Sequence, residues 1–223
     1  MLVNKVKNFC PVCSSEQYFL PFGSPPRRNV LCPGCKAKNR HRLIGLFFKR
    51  QTDLFKDANK KFLHIAPEKC FMPGFEKHFG ANYYSADLQM PRAAIKMDIT
   101  AMPYEVNYFD FAYCSHVLEH VEQDITAMRE FYRCLQPGGW LTVMVPLSTQ
   151  EKTYEDPQIT SPAERKKHFG QHDHVRIYGT DIVDRLQLTG FAVKTVTASD
   201  FMSPDEIEKM AVKKTHQIFF CRK

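Results

Sequence analysis

The spacing of apolar residues changes near residue 60, and this change divides the chain. Within residues 39–58, the apolar residues Leu46, Phe47 and Leu54 lie three, four and eleven positions after Leu43, and Arg50 lies seven positions after it. This spacing predicts one amphipathic helix. From Lys61 onward short apolar runs alternate with helix-length segments. The runs predict strands at 61–66, 82–88, 93–98, 109–116, 140–147, 191–197 and 216–223. The segments between them predict helices at 67–79, 124–135 and 180–190.

This alternation predicts an α/β fold with a mostly parallel, seven-stranded sheet and helices on both faces. The last two strands are joined by a long connection and suit an antiparallel pair at one edge. We therefore expect a small N-terminal unit over 1–40, a linking helix over 41–60 and an α/β domain over 61–223.

Four cysteines in the N-terminal unit have the spacing of a metal site. Cys10 and Cys13 form one Cys-x2-Cys knuckle, and Cys32 and Cys35 form a second one 18 residues later. Two such knuckles can place four thiolates in the tetrahedron that Zn²⁺ prefers, which indicates a zinc-ribbon or zinc-knuckle unit. Since all four ligands would be protein atoms, we expect a structural zinc ion. Unligated or redox-active thiols are the alternative.

The net charge of +7 is unevenly distributed. Residues 1–61 hold 13 Lys/Arg and 3 Asp/Glu, whereas residues 62–223 hold 18 and 21. A basic segment of this kind can attract phosphate, so nucleic acid is one possible partner, although a solvated face is the simpler interpretation. The sequence contains neither an apolar run of about 18 residues nor a signal-peptide pattern, so we expect a cytoplasmic protein without a membrane partner.

The stretch FLHIAPEKC at residues 62–70 reads as a buried strand followed by a turn. In α/β domains this turn is often rich in glycine, because glycine lets the backbone approach a nucleotide. Here the turn contains no glycine. Pro67 donates no N–H, and Ala66 disfavours positive φ.

Residues 61–223 resemble the class I S-adenosylmethionine-dependent methyltransferases of type 11, which have a Rossmann-like fold. The resemblance is strongest in FDFAYCSHVLEHVEQDITAMREFYRCLQPGGWLTVMVP at 109–146, with its SHVLEHV and LQPGG elements. DHVRIYG at 173–179 is also similar. The resemblance implies an S-adenosylmethionine site at the carboxyl ends of the first four strands of the domain.

Carried over residue by residue, the resemblance implies specific contacts with the cofactor. Asp87 would accept hydrogen bonds from the ribose hydroxyls, Asp98 would face the adenine amine, and Ile99 would pack on the ring. Glu68 could hold the ammonium group in place of the missing glycines. The predicted cofactor-binding residues are His64, Ala66, Glu68, Asp87, Leu88, Asp98, Ile99, Ser115 and His116.

Three histidines are candidate general bases: His116, which follows a strand, and His172 and His174 in GQHDHVR. His174 and Arg176 could instead only hold this loop in place. The leading hypothesis is methyl transfer to O or N of a small or medium-sized polar acceptor, such as a sugar, amine or peptide-like metabolite. The alternatives are an RNA or protein methyltransferase that docks through its basic zinc unit, and a catalytically silent binding protein. The sequence leaves the oligomeric state open.

Overall fold

The computed structural model describes residues 6–89 and 92–223. The chain divides into two compact units, each assembled from separate segments. The cysteine unit contains the described residues of 1–59, 68–81 and 196–218. The sheet unit contains those of 60–67, 82–195 and 219–223.

The cysteine unit begins with two short antiparallel hairpins. Strand β1 (Asn8–Cys10) pairs with β2 (Ser15–Gln17), and β3 (Leu20–Phe22) pairs with β4 (Arg27–Leu31). The segment between the two cysteine knuckles thus contains the β3–β4 hairpin. The first five residues of the predicted zinc unit lie outside the described residues.

Helix α1 (Asn39–Gln51) buries its Leu43 and Phe47 face as its periodicity predicts, but it ends seven residues before the predicted end at 58. Thr52 explains the early end, because its hydroxyl donates to the Phe48 carbonyl at 2.8 Å and accepts from the Leu54 N–H at 3.2 Å. Such local bonds compete with the helical ladder.

Two further helices lie wholly within the cysteine unit: α2 (Met72–Phe79) and α6 (Pro204–Lys209). Helix α2 begins five residues later than the segment predicted from 67. Pro73 lies in its first turn, where the missing N–H costs no hydrogen bond.

The remaining elements form a seven-stranded mixed sheet and its helices, as the alternating pattern predicts. The sheet strands are β5 (Phe62–Ile65), β6 (Tyr83–Asp87), β7 (Ile95–Lys96), β8 (Phe109–Ser115), β9 (Leu135–Met144), β12 (Ala192–Thr197) and β13 (Gln217–Arg222). The helices are α3 (Asp124–Cys134), α4 (Pro162–Phe169) and α5 (Ile182–Leu188). Strand β10 (Tyr154–Glu155) pairs antiparallel with β11 (Arg176–Ile177), and α4 lies between them in the sequence.

The strand order is β12-β13-β9-β8-β5-β6-β7. Strands β5 to β9 pair in parallel, whereas β13 runs antiparallel to β9, with Phe219 opposite Val143. The two predicted C-terminal strands are therefore neighbours at one edge of the sheet, and β13 is antiparallel to its other neighbour, β9. The chain builds outward from β5 through β6 to β7 and then returns to place β8 on the other side of β5. This reversal marks the carboxyl ends of β5 and β8 as the place where such sheets bind ligands.

The core of the sheet unit consists of apolar side chains from the strands and from the helices packed on them. Leu63, Ala112 and Leu141 from three adjacent strands are at most 1% exposed, and Met128 and Phe131 of α3 pack into the same cluster. This core fixes the strand ends that carry the candidate site. Among residues 6–89 and 92–223, no helix has the length and apolar character needed to cross a membrane.

Candidate functional site

A cavity of about 480 Å³ opens at the carboxyl ends of the parallel strands, within the sheet unit. Its lining residues are Ile65, Ala66, Asp87, Leu88, Gln89, Met97, Asp98, Ile99, His116, Val117, His120, Val121 and Asp173. They come from the segments that follow β5, β6, β7 and β8, together with one residue of the 171–175 loop. The volume lies within the usual range for small-molecule and cofactor sites.

Two of the lining residues adopt the left-handed conformation that normally favours glycine. Ala66, directly after β5, has φ +49°, and His116, directly after β8, has φ +56°. Their N–H groups donate to the carbonyls of Ala86 at 2.9 Å and Met144 at 2.7 Å. The first turn therefore keeps the backbone shape of a glycine turn although it contains none. Strain of this kind is concentrated at functional sites.

The cavity wall is acidic on one side. Asp87, at the end of β6, accepts a hydrogen bond from the Gln89 N–H at 2.7 Å. Asp98 accepts from the N–H and the hydroxyl of Thr100 at 2.8 and 2.7 Å, which orients its carboxylate. Among the described lining residues there is neither Lys nor Arg. The electrostatic environment thus suits a ligand with positive charge and hydroxyl or amine donors.

Six of the nine predicted cofactor-binding residues line this cavity: Ala66, Asp87, Leu88, Asp98, Ile99 and His116. The other three lie elsewhere. His64 is fully buried on β5, where its Nδ1 lies 2.8 Å from the Tyr83 hydroxyl, and Ser115 is 6% exposed. Glu68 belongs to the cysteine unit, where its Oε1 lies 3.8 Å from His41 Nε2.

Beyond the end of β8, histidines and a glutamate cluster around the cavity wall. His116 Nδ1 lies 3.3 Å from Glu119 Oε1, and the ligand atoms of Glu119, His120 and His174 all lie within 4.8 Å of one another. Burial lowers the pKa of His174, which the nearby Glu119 partly offsets. His174 is 4% exposed, whereas the side chain of His172 is 73% exposed and lies 3.9 Å from Asp173.

Arg176 fixes the segment that carries Glu119 and His120. Its guanidinium donates to the carbonyls of Leu118, Val121 and Glu122 and pairs with Glu155 at 2.8 Å. The Val175 N–H also donates to the Glu119 carbonyl at 2.9 Å. The 171–178 segment is thus bonded to the 118–122 turn, so Arg176 has the loop-holding role considered in the sequence analysis.

The four N-terminal cysteines come together in the cysteine unit. Cys10 and Cys35 sulfurs lie 3.6 Å apart, Cys13 and Cys32 sulfurs lie 3.8 Å apart, and all four lie within 4.8 Å. Four sulfurs at 2.3 Å from one ion would be about 3.8 Å apart, so the donor set fits tetrahedral Zn²⁺. A hydrogen bond from Cys35 lowers the pKa of the Cys10 thiol to about 5, which favours a thiolate there.

Arg42 of α1 is fully buried beside these thiols. It donates to five carbonyls at 2.6–3.2 Å, those of Asn29, Val30, Ala37, Met210 and Ala211. Burial lowers the pKa of Arg42 to about 10, and the negative charge of the cysteine sulfurs opposes that shift. The buried cation and the cysteine cluster therefore compensate each other electrostatically.

Residues 57–143 match the model of a family described as a methyltransferase domain. A solved S-adenosylmethionine-dependent methyltransferase from Archaeoglobus fulgidus superposes with a TM-score of 0.53 at 15% identity, covering 84% of this chain and 95% of that chain. The fold is that of the S-adenosylmethionine-dependent methyltransferases. No curated protein matches the sequence.

Two more structures with the methyltransferase fold differ in what they do. The 1,6-didemethyltoxoflavin N1-methyltransferase of Burkholderia thailandensis, solved with bound S-adenosylhomocysteine, has a TM-score of 0.52 at 12% identity, covering 83% of this chain and 78% of that chain. The cyclase SpnF has a TM-score of 0.56 at 18% identity, covering 82% and 80%. The methyltransferase fold therefore does not by itself fix the reaction.

The candidate site residues predicted from the sequence did not include Glu119 and His120. They lie in a 3-10 turn at Leu118–His120, where Glu119 is 1% exposed. A buried Glu beside two His is unusual, since charged groups are rarely buried without a partner. The periodicity offered no sign of it, because His174 comes from a loop 54 positions after His120.

Proposed function

We propose that the protein transfers a methyl group from S-adenosylmethionine to an oxygen or nitrogen atom of a small or medium-sized polar acceptor. The observation that supports this most is the cavity at the carboxyl ends of β5, β6 and β8, which Asp87 and Asp98 line and whose described lining residues include neither Lys nor Arg. Those carboxylates suit the ribose hydroxyls and the adenine amine, and the positive charge of the sulfonium suits an acidic wall.

The apolar residues of the cavity supply the surface for the adenine ring. Ile99 is 5% exposed at the cavity wall, and Ile65, Met97 and Val117 lie beside it in the lining. Ring burial against such side chains is favourable in proportion to the apolar area removed from water. The left-handed turns at Ala66 and His116 would let the backbone come close to the methionine part.

The acceptor would enter from the side of His116, His120 and Asp173. Because the methyl donor is already activated, the chain mainly has to hold the acceptor atom in line with the methyl carbon. A nearby base would take the proton of a hydroxyl or ammonium. A second cavity of about 520 Å³ in the sheet unit is lined by Glu155, Asp156 and Arg165 among others, and these polar side chains would suit a polar acceptor.

In the cysteine unit, the four thiols would hold a structural Zn²⁺ ion. The sulfur spacing fits the tetrahedral edge, and no position would be left open for water, so the ion would stabilise the unit and take no part in the chemistry.

Isothermal titration of the zinc-loaded full chain tests the proposed function. We expect both S-adenosylmethionine and S-adenosylhomocysteine to bind with one site per chain. Incubation with a methyl-labelled donor and a metabolite extract, followed by mass spectrometry, should then reveal a methylated small molecule. Absence of binding by either ligand would contradict the proposal. Binding without any labelled product, small or macromolecular, would instead support a silent binding protein.

A further inference from the structure

The cluster of Glu119, His120 and His174 has the composition of a metal site that the methyl-transfer proposal does not require. Its three ligand atoms lie within 4.8 Å of one another. Glu119 is 1% exposed, and neither of its carboxylate oxygens accepts a hydrogen bond from the described residues. A buried carboxylate without hydrogen bonds is costly, because its charge has lost the stabilisation of water. The Glu119 side chain therefore indicates a cationic partner.

The two histidines are already oriented to present a lone pair. His174 Nδ1 lies 3.2 Å from the Phe169 carbonyl, which makes Nδ1 the protonated nitrogen, and its buried Nε2 has no hydrogen-bond partner. His120 Nδ1 lies 3.2 Å from Asp173 Oδ2, which leaves Nε2 as its acceptor atom. Metal-binding histidines are held in the same way, with the outer nitrogen donating to a carbonyl or carboxylate.

His116 is the other group that could neutralise Glu119. Its Nδ1 lies 3.3 Å from Glu119 Oε1, but the contact lacks the geometry of a hydrogen bond, and the His116 side chain is 28% exposed. This pair would leave the second carboxylate oxygen and His174 Nε2 unsatisfied. One cation at the centre of the cluster satisfies all of them.

We propose that Glu119, His120 and His174 bind a divalent first-row metal ion, such as Mn²⁺ or Zn²⁺, at the wall of the cofactor cavity. Two imidazoles and one carboxylate suit these ions and leave coordination positions open. His120 and His116 both line the cavity, so an open position would face the acceptor. This inference rests on the proposed function and narrows it: the acceptor is a hydroxyl compound, methylated on oxygen.

A bound ion would make the acceptor hydroxyl more acidic, and the hydroxyl proton would pass to water in the open cavity. The oxygen attacks the methyl carbon and a C–O bond forms. The bond between methyl carbon and sulfonium sulfur breaks, its electron pair stays on sulfur, and the sulfonium becomes a neutral thioether.

The test is metal binding by the full chain with its cysteine site already loaded with zinc. Mn²⁺ is titrated in while the electron paramagnetic resonance signal of the free ion is followed, and the zinc content is measured after dialysis against excess zinc. Soft thiolates select zinc over Mn²⁺, so Mn²⁺ reports the Glu119 cluster. We expect one Mn²⁺ ion, or a second zinc ion, per chain.

Glu119→Gln keeps the shape of the side chain and removes its charge, and His174→Asn keeps a donor near the Phe169 carbonyl but lacks Nε2. Each should weaken binding by at least about tenfold. Glu122→Gln is the matched control on the same turn, with its side chain 76% exposed, and should bind as the unaltered chain does. A folded unaltered chain that binds neither ion at a second site, or a Glu119→Gln variant that binds equally well, would overturn the proposal.

Titration of the same samples with S-adenosylhomocysteine separates the two proposals. If the chain binds S-adenosylhomocysteine but no metal ion at the Glu119 cluster, only the proposed metal site is contradicted. Metal binding that depends on Glu119, without S-adenosylhomocysteine binding, contradicts the methyl-transfer function and leaves the site standing.

Discussion

The two units gather ligand-forming side chains in different ways. In the cysteine unit four thiols come from two local knuckles, lie 3.6–3.8 Å apart in pairs, and form a closed donor set. In the sheet unit the polar residues come from the ends of separate strands and from a distant loop, and they face an open cavity. Under the proposals above, the first arrangement would serve folding and the second would serve binding, so a substitution should lower stability in the cysteine unit and ligand affinity in the sheet unit.

The largest expected effect is loss of the cysteine site. Cys32→Ser removes one of four thiolates, and a structural zinc ion of this type contributes on the order of 10 kcal/mol to folding. We expect zinc binding and the folded cysteine unit to be lost together, as measured by zinc content and by thermal unfolding followed by circular dichroism.

Cys70→Ser is the matched control for Cys32→Ser. Its sulfur lies 3.3 Å from His41 Nδ1 and outside the cluster, so the variant should keep one zinc ion per chain. A Cys32→Ser variant with the same zinc content and melting temperature as the unaltered chain would show that the cysteines do not stabilise this unit through a metal.

Arg42→Leu should have the next largest effect. The substitution leaves five buried carbonyls without their donor and removes the cation beside the thiolates. Loss of one member of a buried charge arrangement costs about 3–5 kcal/mol. Denaturant unfolding of the full chain measures this loss of free energy.

Arg50→Leu on the same helix is the control for Arg42→Leu. Arg50 pairs with Glu206 at the surface, with its side chain 38% exposed, and such a pair contributes about 0.2–1 kcal/mol. If both variants lost the same free energy of unfolding, the buried contacts of Arg42 would stabilise the cysteine unit no more than a surface ion pair does.

Features that depend on residues close together in the sequence could be predicted from it, whereas features that depend on distant residues could not. The cysteine set and the strands at 62–65, 83–87 and 109–115 depend on spacing within a few residues, and the structure has them where the patterns indicate. The end of α1 depended on the hydroxyl of Thr52, which hydrophobic periodicity does not register.

The cluster around Glu119 could not be predicted from periodicity for a different reason. Its members meet only because the 171–178 segment is bonded to the turn after β8 through Arg176 and Val175. The left-handed turn at Ala66 was equally hidden, since alanine gives no sign of positive φ. Both features depend on contacts between segments that are far apart in the sequence.

In the sheet unit, Asp87→Ala should weaken the binding of S-adenosylhomocysteine and leave the stability of the fold almost unchanged. The lost charged hydrogen bonds to the ribose would amount to about 1.5–3 kcal/mol, or roughly 10- to 100-fold weaker binding of S-adenosylhomocysteine. The melting temperature should change little, because the carboxylate lies at a cavity wall. Titration calorimetry and thermal unfolding on the same sample check both statements.

Glu105→Ala is the control, since Glu105 is an exposed acid of the sheet unit outside the cavity lining. The Glu105→Ala variant should bind S-adenosylhomocysteine as tightly as the unaltered chain does. If Asp87→Ala unfolded the chain instead, Asp87 would serve stability, and the proposed difference between the two units would be contradicted.

Ala66→Gly should produce the smallest effect and the most specific one. Alanine at φ +49° bears left-handed strain of about 1–2 kcal/mol, which glycine removes. Glycine in turn gives the unfolded chain more conformational freedom, at a cost of about 0.4–1 kcal/mol. The free energy of unfolding should therefore rise by about 0.5–1 kcal/mol. Ala192→Gly, at an exposed position of β12, has no such strain to relieve and should lower it by about the same amount. If both variants lowered stability equally, the turn after β5 would hold no strain, and alanine would not stand there in place of a glycine.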